Sequence, residues 1–306
     1  MVPVKLQLVT SVLAALAVAP AAPERAAPYD RAMQRAIDRA EGVLLSGMEI
    51  YESDRTWQDP WVVETDHYVV RTARSYYFGL VLGQGLETML SFFQEALRTD
   101  WVPRQRLNVF ILPDLQTYNG FGDTHGAEHS SFYGSFYAGG HPQQPIAALY
   151  DSNFARFQRT LTHSATHQFV AGAFPQTRSQ PWVSEGLAKY FELHWDFGSG
   201  IADFRRIQAD NNLWIPLPEL LGAPLQNYGD RTESRLLQLG ALFTYLYSYR
   251  EDTRTVWENG EIVSAPFGDY MNALLSGRDV SRLAPHRLLT RQLGQLNDEL
   301  RSFTFE

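Results

Sequence analysis

Residues 160–169 read TLTHSATHQF, and their two histidines, His163 and His167, stand four positions apart. On a helix, side chains at i and i+4 leave the same face about 5–6 Å apart, close enough for two imidazoles to share one metal ion. The pair alone carries little weight. Eight histidines in 306 residues would give such a pair by chance in roughly one sequence in five, and two histidines on a half-buried face are equally well satisfied by backbone or water. Eighteen positions after His167 stands Glu185, within PWVSEGLAKYFE (181–192). In isolation Glu185 reads as a first-turn acid complementing a helix dipole beside Ser184. A turn through GAFPQTRSQP (172–181) can instead fold its helix back and deliver the carboxylate as a third ligand. Together the three residues make the His, His, Glu set of a catalytic zinc ion, with one open position left for water.

LTHSATHQF followed by PWVSEGLAKYFE resembles the HExxH and downstream Glu motifs of the gluzincin metallopeptidases, the zincin-fold enzymes that include thermolysin and the zinc aminopeptidases. It is similar to secreted bacterial gluzincin-like proteins whose motifs read like LTHEATHQF and WVSEGLAEYFE. The resemblance spans about residues 146–192. It implies one zinc ion held by His163, His167 and Glu185. It also matches Glu192, seven residues past Glu185, to an acid that often buttresses a ligand histidine, the plain alternative being an ordinary surface glutamate.

The sequence departs from that pattern at Ser164, which occupies the position of the glutamate that accepts a proton from water and passes it to the leaving amine. A serine hydroxyl is far too weak an acid to serve as a base near neutral pH, and losing a general base typically costs about 10²- to 10⁴-fold in rate. A second departure lies in SRLLQLGALFTYL (234–246), where relatives tend to read YAQSWALVRYL; the Tyr that can stabilise an oxyanion then falls on Leu236. Tyr228, Tyr245 and His194 are candidate replacements, although aromatic and histidine positions more often serve packing or the surface.

Three functions fit these residues. The first is a metallopeptidase-like pseudoenzyme that keeps zinc and a cleft and binds a peptide or protein ligand. The second is a working zinc-dependent peptidase in which another carboxylate, such as Glu128 or Glu192, or zinc hydroxide alone, replaces the base. The third is a metal-free structural or binding module with both histidines hydrogen-bonded in a polar core.

The elements that must position these groups are legible in outline. With 44% hydrophobic residues, the chain has material for a core. No repeat of 20–50 residues is visible, so one globular unit of two closely packed subdomains is expected. HYVVRTA (67–73), LNVFILP (107–113) and PIAALYD (145–151) read as strands, SSFYGSFYAGG as an exposed strand ending at Gly139-Gly140, and 31–48, 75–97 and 153–171 as helices. Beyond residue 180 the spacing predicts helices over 183–197, 216–222, 233–249, 266–276 and 287–303. The expected class is α+β: a zincin-like small mixed sheet with an active-site helix (22–172), then an all-helical subdomain (173–306). In such folds an extended peptide adds a strand at an exposed sheet edge. Whether 114–145, with His125, His129 and His141, is a substrate rim or a loop stays open.

Composition narrows the partners. A net charge of −8 and a pI near 5.5 exclude a nucleic-acid footprint or a polybasic membrane surface. Residues 1–21, one Lys and an apolar run from Leu6 to Ala19 before Ala19-Pro20-Ala21, read as a secretory signal peptide. The run is shorter than the ~20 apolar residues that span a bilayer, so the processed chain is expected not to cross a membrane. The absence of cysteine removes disulfides and thiolate ligands, and points to a bacterial periplasm or exterior.

Overall fold

A computed structural model describes residues 55–125, 135–137, 142–151, 154–175, 181–194, 197–222, 232–258 and 261–305. The signal peptide, the expected helix over 31–48, Glu128, His129, His141 and Tyr228 lie outside the described residues. The chain divides into two compact units: residues 1–95 with 100–173, and residues 96–99 with 174–306.

The first unit is built on a five-stranded mixed sheet. Its strands are β1 (Trp61–Glu64), β2 (Tyr68–Thr72), β3 (Leu107–Leu112), β4 (Ser135–Tyr137) and β5 (Ile146–Leu149), in the order β1-β2-β3-β5-β4. The two central pairings, β2 with β3 and β3 with β5, are parallel, while β1 and β4 run antiparallel to their neighbours at the two edges. In β2 the burial alternates, with Tyr68, Val70 and Thr72 buried, as period-2 side chains on a sheet with one covered face must be. β3 and β5 read as nearly continuous apolar runs because central parallel strands are covered on both faces.

Helix α1 (Tyr76–Ala96) lies close against the β1–β2 hairpin through two glycines. A Cβ on Gly79 would sit 2.7 Å from Val63 Cγ2, and one on Gly83 2.7 Å from Thr65 Cγ2. Glu87 of the same helix locks the hairpin turn: its carboxylate accepts from the Thr65 hydroxyl at 2.6 Å and from the His67 backbone N–H and Nδ1 at 2.7 Å each. The strand order continues through α2 (Leu115–His125), whose first turn is capped by Asp114 accepting from the Thr117 N–H at 2.8 Å. Helix α3 (Phe154–Ala173) then packs on β4 and β5. Phe169 stacks its edge on Phe93 and Trp101, and Gly172 lets Trp101 approach to 2.3 Å of where a Cβ would stand.

The second unit is mainly helical: α4 (Pro181–His194), α5 (Phe197–Ala209), α6 (Leu217–Gly222), α7 (Thr232–Thr244) with a π-helical turn at Tyr245–Tyr249, α8 (Pro266–Leu275), α9 (Ala284–Arg291) and α10 (Leu293–Ser302). Helix α7 is buried from Arg235 to Thr244 and is therefore the unit's axis. Against it α4 packs through glycine: a Cβ on Gly186 would stand 2.4 Å from the Phe243 ring, and one on Gly240 2.8 Å from Lys189 Cγ and Leu193 Cδ1. Gln238, fully buried, bonds both backbone groups of Ile215 at 3.0 Å, fixing the approach to α6. Residues 96–99 join this unit through Asn272 Nδ2, which donates to the carbonyls of Leu97 and Arg98 at 2.7 and 2.8 Å.

The α+β class stands, and three expectations need correction. The second half is not all-helical, because β6 (Val256–Glu258) and β7 (Glu261–Ser264) form an antiparallel hairpin. The single helix expected over 287–303 is two, broken at Gln292, whose φ of −115° and ψ of 21° leave the helical region. Within 114–145, read as a strand-bearing, Gly-rich stretch, residues 115–125 are helical.

Candidate metal centre

Helix α3 carries the two histidines in an unusual setting. From Phe157 to Val170 nearly every side chain is buried, yet Gln158, Thr162, His163, Ser164, Thr166 and Gln168 are polar. Burying such groups costs free energy unless each finds a partner. The threonines find theirs locally: Thr162 donates to the Gln158 carbonyl and Thr166 to the Thr162 carbonyl, both at 2.9 Å. Gln168 donates to the Gln144 carbonyl at 2.9 Å. A helix needed only for packing would be apolar at these positions, so its polar face is chemically informative.

His163 is 8% exposed and His167 half-buried. Their Nε2 atoms face each other at 3.2 Å. Two nitrogens each about 2.05 Å from a tetrahedral ion stand about 3.3 Å apart, so the spacing fits two ligands of one ion as well as a direct imidazole–imidazole hydrogen bond. Glu185, in the first turns of α4, is half-buried. One ligand atom each from His163, His167 and Glu185 lies within 4.8 Å of the others, and this group could hold a metal ion. Two imidazoles and one carboxylate, with no cysteine in the chain, are a donor set that a divalent transition metal such as zinc or iron accepts with positions left open.

The remaining candidates fall as follows. Ser164 is 2% exposed, next to His163 on α3. Glu192 is buried on α4 and its Oε1 accepts from Lys189 Nζ at 2.7 Å, an i,i+3 ion pair. Lys189 was not among the residues expected from sequence; the i,i+3 spacing to Glu192 was visible, but on an amphipathic helix it reads equally as a solvated pair. Leu236 is 2% exposed on α7 and offers no donor. Tyr245 reaches Glu299 Oε2 at 3.4 Å and packs on Phe303 at 4.7 Å. Nearby, Tyr190 and Tyr247 stack at 4.6 Å, and burial pushes both phenols above their ordinary pKa, so they are neutral donors at physiological pH. His125 and His194 lie in α2 and α4, with side chains outside the described set.

Comparison with protein-family models and with curated proteins gave no match.

Proposed function

We propose that this chain is a gluzincin-like zinc metallopeptidase homologue that has lost its general base, retains a His, His, Glu metal centre and binds a peptide or protein ligand. The observation that carries the reading is the grouping of His163, His167 and Glu185 within 4.8 Å. Sequence spacing put two of them on one face, and a third donor of the right chemistry joins them. In this reading the three residues hold zinc, which when bound supplies Lewis acidity that polarises a carbonyl and lowers the pKa of water toward ~7.

The chain's own residues do the rest. Lys189 holds the Glu192 carboxylate on the helix that bears Glu185, which fixes that helix face. Ser164 can hydrogen-bond a ligand or a water but cannot take a proton from it near neutral pH. The antiparallel edge strand β4 suits an extended peptide added as a further strand. Export to a bacterial periplasm or exterior belongs to the same proposal, on the strength of residues 1–21.

Zinc stoichiometry on purified protein, followed by digestion of a broad peptide library, tests it. One zinc per chain with slow or no turnover supports the proposal. Zinc-dependent cleavage at ordinary peptidase rates would replace it with an active enzyme using another base, and absence of bound metal with it a metal-free module.

A further inference from the structure

We propose that the second unit carries a binding site for a small polyanion, a molecule with two or more phosphate or carboxylate groups, in the pocket around α9. The pocket has a volume of about 350 Å³ and is lined by Asp252, Ser281, Arg282, His286, Arg287 and Arg291, with Leu283 and Leu288 among its apolar walls. Arg287 and Arg291 stand at i and i+4 on α9, so both leave one face. Arg282 enters from the turn before it.

Three cations around one concavity need an explanation in this chain. Acidic residues outnumber basic ones 34 to 26, so an exposed arginine has more than one carboxylate, on average, to choose from. Even so, among the described residues none of these three guanidiniums has a hydrogen-bond or ion-pair partner. The carboxylate lining the pocket, Asp252, is already engaged: its Oδ1 lies 2.8 Å from Nε of Arg250. Three guanidiniums thus face one lining carboxylate, itself shared with Arg250, so among the described residues the pocket keeps an excess of positive charge.

Guanidinium is the group suited to this task, because its planar fork bonds carboxylate or phosphate oxygens in pairs. The volume sits at the lower end of the ~300–1,000 Å³ typical of ligand sites. That admits a diphosphate or a tricarboxylate. The net charge of −8 works against a nucleic-acid polymer.

Calorimetric titration with pyrophosphate and, separately, with citrate tests the site. Chelator-treated protein carrying His163→Ala and His167→Ala is the host, so that metal coordination contributes nothing and loss of the metal-centre reading leaves this one intact. Saturable binding of at least one probe is expected, weakening as salt rises from about 20 to about 200 mM. The Arg287→Ala, Arg291→Ala double variant should weaken it by about 10-fold or more, while Arg206→Ala on the exposed face of α5 should leave it unchanged. Tighter pyrophosphate identifies phosphate chemistry, tighter citrate carboxylate chemistry. No saturable binding of either probe, or equal weakening by Arg206→Ala, would overturn the proposal and leave a solvated basic face.

Discussion

In the proposed reading, one side chain separates an enzyme from a binder. Ser164 follows His163, a candidate ligand, and is buried, so a carboxylate placed there would be partly desolvated and correspondingly more basic. Ser164→Glu should raise peptide hydrolysis by about 10²-fold or more over the natural protein, whereas Ser164→Gln, equal in size and without a base, should not. Equal rates in both variants, with each still melting cooperatively, would show that the missing base is not what limits the protein. The grouping of His163, His167 and Glu185 was legible because helical spacing is a strict rule and a metal-binding set is a short list of donors. The Lys189–Glu192 pair was not, because spacing alone cannot tell a buried ion pair from a solvated one.

Elements were legible where a single period ran uninterrupted. Helices α1, α3 and α4 and strands β2, β3 and β5 all fall within a few residues of their expected places. Helix α2 was hidden by Gly120 and Gly122, which read as loop although Asp114 and Thr117 spell a cap. The hairpin of β6 and β7 was hidden inside a helical stretch despite Asn259-Gly260 between its strands, the strongest short hairpin signal. The break falls at Gln292, two residues before Gly294, an isolated glycine of the kind that helical patterns also tolerate.

Two tests belong at this scale. The Thr117 N–H holds the Asp114 carboxyl below its ordinary pKa of 3.8. A depressed folded-state pKa contributes stability that is present above the ordinary carboxylate range and lost as pH falls through the folded value. Asp114→Asn should therefore flatten the acid limb of a urea-midpoint titration below about pH 4 and leave neutral pH less affected. Gly186→Ala, whose Cβ would meet Phe243 at 2.4 Å, should destabilise by about 1–3 kcal/mol, and Phe243→Leu in the same chain should recover part of that loss. Additive losses would mean that the two helices do not meet through this contact.

For the molecule as a whole, a metal ion held by His163, His167 and Glu185 would be linked to folding. An ion that binds only the folded chain, present at 100 times its Kd, stabilises by about 2.7 kcal/mol, which for a chain of this size is a rise of a few degrees in Tm. Zinc should raise the melting temperature of the natural protein, a chelator should reverse the rise, and His163→Ala should abolish it. A natural protein indifferent to zinc would leave the histidines as core hydrogen-bonding groups. The connectivity of the two units has a practical meaning for all such work. Because residues 96–99 belong with 174–306, the chain passes between units three times, after residues 95, 99 and 173. No single cut separates them: a fragment ending at 173 would strand the carbonyls of Leu97 and Arg98 without Asn272, and one starting at 174 would leave Asn272 without the chain it ties down. The two halves are a joint inheritance, and deletion mapping on this protein would report misfolding where it meant to report function.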